Sequence, residues 1–185
     1  AILGDVTFLL SMLGVVVLAL VLRHTNSWAT TLLASVGVGI AALLGLYLQP
    51  QMLTLIEQQL VQALEQVANA PELQGQLTLL EPEQLHRMMV MSFAAMIAFM
   101  AVTLLMLARS WQARLYNPGG FREEFHQLRL DPRSSAALFL FYMLANYGPP
   151  VLQQSALFFM LPLLIAGAAL VHGLVGRRKL PIVVL

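Results

Sequence analysis

The sequence predicts an all-α fold, a polytopic transmembrane helix bundle, and three observations carry that prediction. Hydrophobic residues make up 59% of the 185 and charged ones 10%, against roughly 45–50% and 25% in soluble domains. Apolar runs of about 20 residues, long enough to cross a bilayer core as a helix, recur along the chain. Nine of the ten Lys/Arg residues fall on one side of the alternating crossings, the segregation that orients membrane proteins. The apolar runs continue toward the C-terminus, which argues against a cleaved leader.

The first span is read over 6–22 and closed by "RHTNSW", the second over 29–48 and closed by "QPQ", the third over 88–108 and closed by Arg109. Between Arg133 and Arg177 lie 43 residues without a charge, too many for one span and right for a hairpin of two. "NYGPP" breaks it, since Pro removes backbone donors and restricts its predecessor while Gly148 permits a turn. The fourth span is therefore 132–147, with Asp131 as N-cap and Pro132 in the first helical position. The fifth is 151–175, with Pro162 as a kink. The chain opens "AILGDV" without Met and stops at the apolar "LPIVVL", so a longer parent polypeptide is expected around this single transmembrane domain.

Two stretches do not span. In 49–87, Leu53, Ile56, Leu60, Leu64 and Val67 recur at helical spacing, an amphipathic helix ended by Pro71. "EPEQLHR" then starts the next helix with acids in its first turn. The second is 109–131, which with Arg109 and Arg133 at its margins holds five of the ten cations. The positive-inside count makes 109–131 and 176–179 cytoplasmic and 49–87 periplasmic. After "NPGG", Phe121, Phe125 and Leu128 fall on one face of a short interfacial helix. Arg109, Arg114, Arg122 and Arg129 suit anionic lipid or a cytoplasmic partner, and Trp111 and Tyr116 suit the headgroup layer.

"LARSWQARLYNPGGFREEFHQLRLDPRSSAALF", residues 107–139, resembles the corresponding region of the YybS-like predicted membrane proteins of bacteria, a family without an assigned biochemical function. The likeness is strongest over Leu104–Pro150. It implies a bacterial inner membrane and a fold kinship to the substrate-binding subunits of energy-coupling-factor vitamin transporters. Fold does not fix function, and no substrate residue is carried across.

Polar groups inside spans are costly and face protein or water. The crossings place Asp5, Asn146, Tyr147, Gln153 and Gln154 near the outer face, where they could rim a pocket for a small polar ligand or serve only as helix ends and headgroup-level residues. Gly37, Ala41 and Gly45 repeat every fourth residue, a small face for close helix contact. His126 has no second ligand at helical spacing and His172 no acid to pair with. The chain has no cysteine, which removes disulfides, thiolate metal sites and Cys nucleophiles. It contains no nucleotide, zinc-protease or serine-hydrolase motif, and its basic face belongs to the membrane surface. No metal, cofactor, catalytic residue or nucleic-acid partner is expected. The expectation is a non-enzymatic membrane subunit that touches lipid and a protein partner and binds a small molecule or lipid, as the specificity part of a transporter. An accessory subunit of a larger complex is the alternative.

Overall fold

The computed structural model describes residues 2–48, 51, 54–55, 58, 62 and 82–178, and for 2–7, 82–83, 85, 150–151 and 176–178 it describes the backbone only. Of the helix expected around Leu53–Val67, only 54–55, 58 and 62 are described, and they are helical. Residues 82–87 are helical too, as the "EPEQLHR" helix start predicts, and the rest of the 49–87 loop apart from 51 lies outside the described residues. The elements are α1 (Ile2–Thr25), α2 (Trp28–Tyr47), α3 (Pro82–Tyr116), α4 (Gly120–Gln127), α5 (Pro132–Tyr147), the single turn α6 (Pro150–Gln153) and α7 (Ala156–Arg178). Four of them, α1, α2, α3 and α7, are long and apolar enough to cross a membrane. With Leu9, Leu13, Val16 and Val17 of α1 exposed along its flank, this is a multi-pass membrane protein whose helices meet lipid.

Local chemistry sets the joints. Between α1 and α2 Asn26 takes φ 47°, a left-handed conformation that Asn tolerates better than most residues. Ser27 then caps α2, its hydroxyl accepting from the Thr30 amide at 3.3 Å. Asp131 caps α5 as the sequence predicts, accepting from the Ser134 amide at 3.0 Å with Pro132 in the first turn. Pro162 sits within α7 without ending it.

Two boundaries move. Arg109 does not close the third helix: residues 109–116, expected in the loop, continue α3 for two further turns until Asn117-Pro118 stops it. One arginine does not break a helix, and "SWQARL" holds no residue that does. At 35 residues α3 runs about 52 Å, well beyond a bilayer core. The last span begins at Ala156 rather than 151, because Pro150–Gln153 forms its own turn after the Gly148-Pro149 break.

α3 packs on α1, α2 and α7, and α5 pairs with α7. Two apolar clusters stack along the bundle. One joins Ala42, Leu43, Leu46, Val90, Ile97 and Phe158; the other joins Leu18, Trp28, Leu32, Ala101, Leu105, Leu128 and Leu161. The buried hydroxyls of Thr31 and Ser35 donate to the carbonyls of Ser27 and Leu32 at 2.8 and 2.7 Å, so their own helix satisfies them where no water reaches. The second cluster lies at the basic end, where α1 finishes, α2 begins, α3 finishes and α4 docks.

Candidate binding site

Because α3 continues through Arg109, that side chain and Gln112 stand three residues apart on one face. Gly119, at φ 92°, turns the chain so that α4 returns against the end of α3. Glu124 of α4 then meets Arg109 through a two-pronged ion pair. Arg109 Nη2 donates to Oε1 at 2.5 Å and Nε donates to Oε2 at 3.1 Å. The remaining prong, Nη1, donates to Gln112 Oε1 at 2.9 Å. From α2, Trp28 Nε1 donates to the same Glu124 Oε2 at 3.0 Å. One carboxylate thus ties three helices. The Arg109 hydrogen bonds hold the Glu124 carboxyl below its ordinary range against an opposing desolvation, and the Trp28 bond adds to the depression.

Beside this knot opens a chamber of about 710 Å³, within the 300–1,000 Å³ usual for small-molecule sites. Ala19, Leu22, Leu105 and Ala108 give it apolar walls, and Arg23, Asn26 and Gln112 join the Trp28–Glu124–Arg109 knot as its polar lining. Glu124 already accepts three hydrogen bonds, so its charge is consumed within the protein. Arg23 is exposed and has no ion-pair partner among the described residues. The chamber therefore offers donors and one uncompensated positive charge next to hydrocarbon.

An aromatic run secures α4 over the bundle. Trp28 meets the edge of Phe121 at 6.1 Å, Phe121 stacks on Phe125 at 6.1 Å, and Phe125 meets His172 of α7 edge-on at 5.8 Å. The imidazoles of His126 and His172 share a hydrogen bond, Nε2 to Nδ1 at 2.9 Å. The sequence reading gave neither histidine a partner, and 46 residues of separation explain why. Among the described residues no three His, Cys, Asp or Glu gather as a metal cage. The hollow next to His126 holds about 30 Å³, room for a water and little more.

The predicted residues divide. Phe121 and Phe125 turn inward against the basic-end cluster, rather than outward to lipid, because that cluster offers their rings a dry surface. Trp111, Arg114, Tyr116, Arg122 and Arg129 stay exposed, and Arg109 is committed to Glu124. Of the outer set, Gln154 alone among the described side chains is buried, its Oε1 accepting from Tyr47 Oη at 2.7 Å. Asn146 donates to the Tyr142 carbonyl and Gln153 to the Gly148 carbonyl, while Tyr147 is exposed; the side chain of Asp5 lies outside the described residues. Gly37 and Gly45 have nothing within 4 Å of where a Cβ would stand, and Ala41 is exposed. Close packing on α2 falls at Gly39 instead.

Arg23, Asn26, Trp28, Gln112 and Glu124 are the polar site residues that sequence reasoning missed. A tryptophan beside a span end and the Glu123-Glu124 pair in a basic loop were the available signals, and both have ordinary interfacial explanations. No family model, curated protein or solved structure matches the chain.

Proposed function

We propose that this chain is a non-enzymatic membrane subunit that binds a small molecule or a lipid in the chamber at its basic end. The observation that carries the reading is the chamber's composition. Apolar walls hold a hydrocarbon, and a fixed polar rim orients a head, the division of labour usual in ligand pockets. The Arg109–Glu124–Trp28 knot pins α2, α3 and α4 beside that volume, and α1 supplies the facing wall. In the YybS-like reading of residues 107–139 the setting is a bacterial inner membrane, and the chamber is the site through which a transporter's specificity part would hold its substrate.

A second reading has its own support. An apolar groove of about 360 Å³ between α1 and α2 is lined by Leu13, Val17, Gly37 and Ala41, and the open space over Gly37 and Gly45 suits another apolar helix. That would make the chain an accessory subunit of a larger assembly.

Gentle extraction of the full-length protein from its host, with mass spectrometry of everything that co-purifies, separates the two. The binding reading expects a retained metabolite or lipid that is lost or reduced in Ala108→Trp, whose indole would intrude on the chamber's apolar wall. A stoichiometric protein complex carrying no ligand in either form would replace it with the accessory reading.

A further inference from the structure

We infer that the chamber takes an anionic amphiphile: a compact oxyanion, phosphate or carboxylate, on the Arg23 guanidinium, with hydrocarbon against Ala19, Leu22, Leu105 and Ala108. The inference rests on the chamber reading above and gives that site a chemical class.

The charge balance points one way. Of the charged groups lining the chamber, Arg109 and Glu124 cancel each other through two direct bonds. Arg23 lines the same volume and finds no carboxylate among the described residues. The neutral groups agree with it. Gln112 accepts from Arg109 through its oxygen, which leaves its NH2 as a donor, and Asn26 adds a second amide. A cation would meet Arg23 and a carboxylate already saturated by three donors. An oxyanion meets a guanidinium whose planar fork matches its geometry. A neutral lipid would leave that guanidinium unused.

The position fits as well. Arg23 closes a membrane-length helix, so the chamber sits at the end of the bilayer-crossing part, the level of lipid phosphates. Apolar residues of both α1 and α3 line it on the side of the spans, where acyl methylenes would enter. The oxyanion could belong to a membrane lipid or to a free organic phosphate, and the chemistry at Arg23 is the same.

The full-length protein in neutral detergent, analysed by native mass spectrometry, tests this with three probes: phosphatidylglycerol, diacylglycerol of the same chains, and glycerol 3-phosphate. Wild type should retain phosphatidylglycerol well above diacylglycerol. Arg23→Gln should retain it about tenfold less, Arg23→Lys should recover part of the loss because it keeps the charge without the fork, and Arg133→Gln, an exposed cation outside the chamber, should change nothing. Retention of glycerol 3-phosphate that falls in the same way with Arg23→Gln supports the anionic class and identifies a soluble source. Equal retention of phosphatidylglycerol by wild type and Arg23→Gln overturns the inference. Diacylglycerol held as tightly as phosphatidylglycerol, and displaced in Ala108→Trp, overturns the anionic class while the chamber reading stands. If Ala108→Trp alters the retention of no probe, the chamber reading falls too.

Discussion

Glu124 shows how much one side chain can organise when its partners come from different elements. Its carboxylate receives Arg109 twice and Trp28 once. Each group is partly exposed, at 34% for Arg109 and 29% for Glu124, so water and salt weaken the pair. Glu124→Gln keeps an acceptor for Trp28 but removes the charge, and we expect it to destabilise the protein by about 1 kcal/mol, read as a lower midpoint of thermal unfolding in detergent. The pH dependence follows from the depressed carboxyl. A group whose folded value lies below its unfolded one contributes fully above the ordinary carboxylate range and loses that contribution as pH falls through the folded value. Wild type should therefore lose stability below about pH 4 more steeply than Glu124→Gln. Parallel acid profiles for the two would show that Glu124 is not the titrating group.

At the scale of the element, α2 separates a small residue that is needed from small residues that are merely present. A Cβ on Gly39 would stand 2.6 Å from Cδ1 of Phe158, and Phe158 is 1% exposed, so the ring has no room to retreat. Gly39→Ala should destabilise the bundle by about 1–3 kcal/mol through overpacking. Gly37→Ala and Gly45→Ala meet open space and should be neutral or stabilising by up to about 1 kcal/mol, because a helix interior disfavours glycine. Comparing unfolding midpoints of the three decides it, and a Gly39→Ala protein as stable as wild type would mean that the two helices sit farther apart. The every-fourth-residue pattern that drew attention to Gly37, Ala41 and Gly45 is real, but one period cannot say which face a neighbour will choose. Gly39, two positions away and outside that pattern, is the one that Phe158 selects.

Across the whole molecule the two ends are fixed by contacts between distant residues. Tyr47 bonds Gln154 at one end, and His126 bonds His172 at the other. Between these two ends α5 joins the segment after α4 to the turn before Gln154, and its 16 residues reach about 24 Å. Pairing with α7 shields one flank of a helix shorter than a bilayer core. The sequence lacks cysteine, so single introduced cysteines report sidedness. Thr25→Cys and Gln127→Cys should react with an impermeant reagent from one side of the membrane, and Leu48→Cys and Gln153→Cys from the other. Gln153→Cys reacting from the same side as Gln127→Cys would rule out a crossing by α5.

What the sequence determined by itself is whatever depends on runs and neighbours: membrane residence, the apolar stretches, the Asp131-Pro132 helix start, the NYGPP break and the clustering of cations. These are local, because hydropathy, capping and proline restriction act over one helix length or less. The tertiary structure alone decided the pairings that make a site. Glu124 lies 15 residues from Arg109 and 96 from Trp28, and nothing in composition or period says that an acid in a basic loop folds back onto them. The chamber exists because the end of α1, the start of α2, the later turns of α3 and the middle of α4 meet at one level, and such a void is a property of how helices converge rather than of any one of them.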